Sequence, residues 1–198
     1  MGLFANLPGG RGQLFSTNLT RSKLIVGLGN VGDEYVETRH NVGFLTLDRF
    51  SESRSFSDFK EKKKLYSLTS EGEIEYSKII LAKPNTLMNL SGRAVIAISQ
   101  FYKINNEDIL VIHDDADLRF GETKLKRGGG DAGHNGLKSI TNAIGEDYWR
   151  LRIGIGRADN PNIDLSDYVL SKFKNEELKA LDRLYPNLFN YIDNFIKS

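Results

Sequence analysis

The 198-residue chain has no cysteine, four prolines and only three histidines. The missing cysteine excludes disulfides, thiolate metal sites and cysteine nucleophiles, and it agrees with a cytoplasmic location. Lysine and arginine number 27 and aspartate and glutamate 26, so the formal net charge is only +1. An RNA partner would therefore have to be held by a local basic patch. No apolar run approaches the roughly 20 residues that cross a bilayer, so no membrane partner is expected.

The first 22 residues differ in composition from the rest of the chain. They contain no acidic residue and include the turn-forming sequence PGGRG at residues 8–12. They also lack the uninterrupted apolar core of a secretory signal. We predict a flexible N-terminal extension over residues 1–22 and a single domain over residues 23–198. An acidic-poor organellar transit segment is the alternative interpretation of the extension.

From residue 23 onward, short β-prone runs alternate with segments of helical periodicity, which is typical of an α/β fold. Strands are predicted at residues 23–26, 65–69, 76–82, 109–113, 122–126 and 151–155. Helices are predicted to begin between residues 38 and 41, near residue 89 and near residue 135, and a further helix occupies the C-terminal part. Pro186 should break or restart that last helix, because proline lacks the backbone N–H.

The first predicted strand is followed by GLGNVG at residues 27–32, which matches the G-x-G-x-x-G pattern of dinucleotide sites. In those sites the helix begins at the glycines, so that the pyrophosphate meets its N-terminus. Here Asp33 and Glu34 follow the glycines, and apolar helical periodicity begins only near Val42. The acidic ribose ligand expected about 20 residues later is also missing. A second match at residues 128–133 lacks the same ligand, so the sequence argues against a dinucleotide cofactor.

The histidines His40, His113 and His134 each lie beside Asn or Asp at a strand end or a helix start. Functional loops of open α/β sheets gather at such positions. No H-x-H, H-x₃-H or H-E-x-x-H spacing favours a metal site, although three histidines leave that alternative open. No G-x-S-x-G nucleophile elbow is present either. The chemistry that remains uses water as the nucleophile and a histidine base that a carboxylate orients.

Amide side chains could supply the hydrogen-bond donors that such a reaction needs for a developing oxyanion. Asn30, Asn89 and Asn135 lie in predicted loops or at predicted helix starts. Asn89 and Asn135 could equally be helix caps, and Asn30 could serve a turn. The spacing of these residues leaves both interpretations open.

Basic residues collect around the last two predicted strands. Lys124 and Lys126 are two positions apart, so they project from the same face of their strand, and Arg152 lies in the next strand. Such a group can clamp a phosphate on an otherwise neutral protein. The alternative is that these side chains are solvated strand ends.

Five motifs in order together resemble bacterial peptidyl-tRNA hydrolases: GLGNVGDEYVETRHNVG, KPNTLMNLSG, HDDADL, KRGGGDAGHNGLKSI and RLRIGIGR. The resemblance covers about residues 23–173. It implies a single α/β domain with a twisted mixed, mostly parallel central sheet flanked by helices. It further implies a monomeric enzyme without metal or organic cofactor. The implied reaction is hydrolysis of the ester that joins a peptide to tRNA, which recycles tRNA from stalled or aborted translation.

The resemblance also implies roles for single residues. His40 matches the general base, Asp114 the carboxylate that orients it, and Asn30 a residue that positions substrate and water. Asn89 and Asn135 match further contacts to the substrate or the attacking water. The positions that match contacts to the acceptor end and the phosphate backbone of peptidyl-tRNA are Tyr35, Leu87, Met88, His134, Lys124, Lys126 and Arg152.

The sequence departs from the family pattern at three of these motifs. Val31 replaces a proline after Asn30, Leu87 replaces an aromatic residue, and Ala116 replaces a leucine. Val31 removes a constraint on the backbone dihedral φ, and Leu87 removes a ring that could stack on the substrate.

A non-catalytic RNA-binding relative is the alternative from another functional class, and a metal-dependent hydrolase is the third hypothesis.

Overall fold

A computed structural model describes residues 21–198. Most of the predicted N-terminal extension, residues 1–20, lies outside the described residues. The strands are β1 (Ser22–Gly27), β2 (Lys60–Lys62), β3 (Ser67–Ile74), β4 (Ser77–Pro84), β5 (Ile109–Asp115), β6 (Thr123–Arg127) and β7 (Trp149–Gly154). The α-helices are α1 (Val42–Ser53), α2 (Ser91–Tyr102), α3 (Asn135–Ile144), α4 (Leu165–Leu170) and α5 (Asn175–Lys197).

The seven strands of residues 21–198 form one mixed sheet in the order β2-β3-β4-β1-β5-β7-β6. The four central strands β4, β1, β5 and β7 pair in parallel, and the pairs toward both edges are antiparallel. Three strand pairs of the described sheet are therefore parallel and three antiparallel, which confirms the predicted mixed α/β sheet flanked by helices; the expected predominance of parallel pairs holds only for its centre. Because the central strands are parallel, the carboxyl ends of β1, β5 and β7 meet at one edge, where α/β proteins place their sites.

Helices cover the sheet on both sides, and alternate residues of the central strands face opposite layers. Ile25 of β1 packs in the layer that contains α1 and α5. Leu24 and Val26 pack in the layer that contains α2 and α3. Every residue of β5 is buried, as expected of a parallel strand that is covered on both faces. Within residues 21–198, no helix combines the length and the apolarity needed to cross a bilayer.

Each of the six predicted strands overlaps an observed one, and α3 begins at Asn135 as predicted. α1 begins one residue after the predicted interval, and α2 begins two residues after residue 89, because short 3₁₀ turns, Arg39–Asn41 and Met88–Leu90, precede them. The sequence did not predict β2, which has three residues, or α4, which has six. Both are too short for periodicity to identify.

The predicted break at Pro186 is wrong, because α5 continues through this residue. Pro186 is exposed, and buried Leu181, Tyr185, Leu188 and Ile192 continue one apolar face on both sides of it. A proline inside a helix costs about 3 kcal/mol. Burial of each large apolar side chain contributes about 1.5–3 kcal/mol, so the packing of the face outweighs the missing hydrogen bond.

Candidate active site

The glycines of GLGNVG allow the start of α1 to pack closely on the sheet. A Cβ atom on Gly27 would lie 2.4 Å from the carbonyl oxygen of Gly43, and one on Gly43 would lie 2.4 Å from that of Ile112. A Cβ atom on Gly29 would lie 2.6 Å from the ring of Phe44. These glycines are therefore required by the close approach of backbone and helix.

Asn41 ties this loop to the turn that carries His40. The backbone N–H of Asn30 donates to Asn41 Oδ1 at 2.8 Å, and Asn41 Nδ2 donates to the Asn30 carbonyl oxygen at 2.9 Å. One buried amide thus holds both backbone groups of Asn30 and leaves the Asn30 side chain at the cleft. Asn41 was not among the predicted site residues. Its place beside the histidine of the TRHN motif was a signal, because a side-chain amide can both donate to and accept from one backbone unit.

Two imidazoles converge on one carboxylate at the end of β5. His40 Nδ1 lies 2.9 Å from Asp114 Oδ1, and His134 Nε2 lies 3.1 Å from the same oxygen. The Asp114 side chain is 4% exposed, and those of His40 and His134 are 12% and 7% exposed. Burial alone would raise the pKa of Asp114. Its interactions with His134 and His40, which include both hydrogen bonds, outweigh burial and hold that pKa well below its ordinary value.

The start of α3 determines which nitrogen of His134 carries the proton. The backbone N–H groups of Gly136 and Leu137 donate to His134 Nδ1 at 3.1 and 3.4 Å, so Nδ1 is the acceptor and His134 is the N-cap of α3. Nε2 must then hold the proton and donate it to Asp114. His40 likewise donates from Nδ1, since the ionised carboxylate only accepts. This leaves an unprotonated Nε2 on the neutral imidazole of His40.

The same atoms raise the question of a metal ion. The ligand atoms of His40, Asp114 and His134 lie within 4.8 Å of one another. Ligation through His134 Nε2 would require its proton to move to Nδ1, where two backbone N–H groups already point. The donor set therefore fits a hydrogen-bonded network and does not fit a two-histidine metal site.

His113 has a different environment from the other two histidines. It is 2% exposed, its Nδ1 donates to the Asp114 carbonyl oxygen at 2.7 Å, and its Nε2 is buried without a partner among the described residues. Burial, reinforced by the neighbouring His134, lowers the pKa of His113 to about 3. His113 is therefore neutral near pH 7 and supports the strand end without titrating.

The network opens into a cleft of about 460 Å³. Of the predicted site residues, the cleft is lined by Asn30, His40, Met88, Asp114, His134 and Asn135. Asn89 is exposed beside Met88, Leu87 is 71% exposed, and Tyr35 is half-buried in a 3₁₀ turn outside the lining. Apolar residues of α4 complete the lining, and sequence reasoning did not include them: Leu165, Val169 and Leu170.

The three predicted amides remain open to a ligand. No side-chain hydrogen bond joins Asn30, Asn89 or Asn135 to another residue within 21–198. Neither of the latter two caps a helix, because the N-cap positions of the turn before α2 and of α3 are Leu87 and His134. The capping interpretation of Asn89 and Asn135 is therefore wrong.

The predicted basic residues share one face of the sheet, but two of them already pair with carboxylates. In the β6–β7 register Lys124 lies opposite Arg152 and Lys126 opposite Arg150. Arg152 Nε lies 2.7 Å from Asp115 Oδ2, and Lys124 Nζ lies 2.8 Å from Glu122 Oε1. Lys126 has no ion pair within the described part of the chain. It lines a second cavity, of about 310 Å³, together with Arg150 and Arg152.

Known proteins resemble this chain in both sequence and fold. A family model described as peptidyl-tRNA hydrolase matches residues 24–198. The peptidyl-tRNA hydrolase of Wolbachia sp. subsp. Brugia malayi is 49% identical over 167 residues, covering 83% of this chain and 90% of the relative. That of Rickettsia prowazekii is 48% identical over 167 residues, covering 84% and 89%. The crystal structure of the Acinetobacter baumannii enzyme matches with a TM-score of 0.82 at 38% identity, covering 88% of each chain. The chain therefore belongs to the peptidyl-tRNA hydrolase family.

Proposed function

We propose that the chain hydrolyses the ester that joins a peptide to the terminal ribose of tRNA, and that His40 activates the attacking water. Membership of the family supports the reaction. One observation carries the mechanism: Asp114 holds His40 Nδ1 at 2.9 Å, which leaves Nε2 as an unprotonated base in the cleft. A non-catalytic RNA-binding protein would have no need of this arrangement.

The reaction follows from these positions. His40 Nε2 takes a proton from water, and the hydroxide attacks the ester carbonyl carbon. The imidazolium is stabilised by the Asp114 carboxylate, while Asn30 and Asn135 donate to the oxyanion. The tetrahedral intermediate then collapses, His40 Nε2 returns the proton to the ribose oxygen, and tRNA leaves. A base contributes about 10²–10⁴-fold to such a rate. One oxyanion donor contributes about 10²–10³-fold.

The contacts of His134 support a positioning role in place of the tRNA contact that the resemblance implies. Its Nε2–H bond to Asp114 and its cap of α3 fix the carboxylate that orients His40. We expect His134→Ala to lower kcat about tenfold and to leave KM unchanged at any salt concentration. His134→Asn restores a cap acceptor without restoring the bond to Asp114, so it should lower kcat similarly. A salt-dependent rise in KM would instead indicate a tRNA contact.

The basic face of β6 and β7 supports binding of the tRNA phosphate backbone. Lys126 is the member of the clamp without a carboxylate partner among the described residues, whereas Lys124 pairs with Glu122. We expect Lys126→Ala to raise KM and to leave kcat unchanged. The slope of log KM against the logarithm of the salt concentration should fall by about 1. Lys124→Ala should have a smaller effect, and Lys179→Ala, at an exposed position on α5, should have none. An effect of Lys126→Ala that does not depend on salt would contradict a phosphate contact.

We further propose a monomeric, cytoplasmic enzyme that works without metal or organic cofactor. The tautomer of His134 supports the absence of a metal ion from the mechanism. The cytoplasmic location follows from the substrate, which ribosomes produce there. We assign the remaining contacts to the acceptor end to Met88, which lines the cleft, and, on the resemblance alone, to Tyr35, Leu87 and Asn89.

A further inference from the structure

Arg39 precedes His40 in the chain, but its side chain contacts a different part of the molecule. The Arg39 side chain is 5% exposed. Nη1 donates to Ser171 Oγ at 2.9 Å and to the Lys172 carbonyl oxygen at 2.6 Å. Nη2 donates to both carboxylate oxygens of Glu177, at 2.9 and 2.6 Å. The carboxylate of Glu177 pairs the buried charge, and among the guanidinium nitrogens Nε alone is buried without a partner in residues 21–198.

The same guanidinium lies against two aromatic rings. Its central carbon is 4.5 Å from the ring centre of Tyr168 and 5.2 Å from that of Phe173. Tyr168 belongs to α4, and its hydroxyl donates to the Ile155 carbonyl oxygen at 2.9 Å. Glu177 also accepts the backbone N–H of Lys174 at the start of α5. A single arginine thus joins the turn that carries His40 to α4, to the α4–α5 connection and to α5.

This junction adjoins the end of α4, which forms part of the wall of the cleft. α4 ends at Leu170, next to Ser171. Its residues Leu165, Val169 and Leu170 line the cleft. The backbone pairs of the junction are few: Arg39 N–H donates to the Ser171 carbonyl oxygen at 3.1 Å, and Phe173 N–H donates to that of Glu37 at 2.9 Å. The arginine side chain therefore supplies three of the five hydrogen bonds between residues 37–39 and residues 171–173, which directly follow α4, and it contacts α4 itself through the ring of Tyr168.

We propose that Arg39 is a positioning residue that holds α4, one wall of the cleft, at a fixed place beside His40. The inference rests on the proposed function of the cleft. Since His40 itself is oriented by Asp114, loss of the Arg39 contacts should loosen the wall and spare proton transfer. A wall contacts the bound substrate equally in the ground and transition states, so its loss appears in KM and not in kcat.

The test is Arg39→Lys. It keeps the charge, but one ammonium group cannot reach Glu177 and the carbonyl groups of residues 171–172 together. We expect KM for N-acetylaminoacyl-tRNA to rise about tenfold and kcat to change by less than about twofold. Amide hydrogen exchange in residues 165–171 should become about tenfold faster, while exchange in α1 stays unchanged. Glu177→Gln, which keeps the size of the side chain, should give the same pattern with smaller changes.

Arg54→Lys is the matched control. Arg54 Nη2 lies 2.6 Å from Asp193 Oδ2 on α5, and its guanidinium lies over the rings of Phe50 and Phe189. Like Arg39, Arg54 pairs with a carboxylate of α5 and lies against two aromatic rings. Unlike Arg39, it directly follows the C-terminal end of α1. This variant should keep the wild-type KM and the wild-type exchange in α4.

Three results would overturn the inference: an unchanged KM in folded Arg39→Lys, unchanged exchange in α4, or equal changes in the Arg54→Lys control. Wild-type enzyme that fails to hydrolyse the substrate would contradict the proposed function instead. The exchange measurement then still decides the role of Arg39, because it needs no activity.

Discussion

His40→Ala should lower kcat for an N-acetylated aminoacyl-tRNA by about 10³-fold or more and leave the affinity for tRNA nearly unchanged. The methyl group cannot take the proton from water, and Asp114 loses one of its two imidazole donors. The contacts assigned to the tRNA phosphate backbone lie on β6 and β7, and the turn that carries His40 is not among them. Single-turnover hydrolysis gives the rate, and a filter-binding titration gives the affinity.

His113→Gln is the matched control for this substitution. His113 is the neighbour of Asp114 on β5, but it is buried, neutral near pH 7 and bonded only to backbone. We expect it to keep kcat within a few-fold of the wild type, at some cost in stability. Equal losses of kcat in His113→Gln and His40→Ala would contradict the assignment of His40 as the base.

Asp114→Asn should lower kcat by about 10³-fold, although the side chain keeps its size. The amide has no charge to stabilise the imidazolium that forms on His40. In one of its two orientations it also points an N–H₂ group at two N–H donors, His40 Nδ1 and His134 Nε2. The neighbouring Asp115→Asn removes the partner of Arg152, so it should change KM and its salt dependence more than kcat. Steady-state kinetics at two salt concentrations separates these outcomes.

The pH dependence of stability gives Asp114→Asn a second readout. The pKa of Asp114 is lowered in the folded protein, so the unfolded chain binds more protons as the pH falls. Asp114 therefore stabilises the fold above its unfolded pKa of about 3.9, and this stability is lost at lower pH. Asp114→Asn should have an unfolding free energy that falls less steeply below about pH 5. Urea titrations at several pH values give these free energies. If the unfolding free energy of Asp114→Asn fell with pH as steeply as that of the wild type, this would contradict the two hydrogen bonds to the carboxylate.

The sequence predicted the central sheet well because its strands carry strong local signals. β1 and β5 are short apolar runs bounded by turns, and the resemblance placed His40 and Asp114 in one site although 74 residues separate them. Periodicity alone does not give that pairing, because it depends on which strands lie side by side. The order of β1 between β4 and β5 is what brings the two side chains together.

The supporting roles proposed for Arg39 and His134 were not predicted, because these roles depend on contacts that only the folded chain makes. From its sequence context, Arg39 would be expected at the surface. Its side chain is instead buried against Glu177, 138 residues away. His134 was predicted as a contact to tRNA, and the positioning role proposed for it depends on two backbone N–H groups and one carboxylate. Pro186 failed as a breaker for the same reason, since the apolar face of α5 is stabilised by the sheet.

The central claim is that His40 activates water without a metal ion. Its most direct test is single-turnover hydrolysis of N-acetylaminoacyl-tRNA by wild type and His40→Ala, each with and without a strong chelator. We predict that the wild type keeps its full rate after chelation and that His40→Ala loses about 10³-fold in both conditions. A wild-type rate that collapses on chelation and returns with added metal, or a His40→Ala variant that retains the wild-type rate, would contradict it.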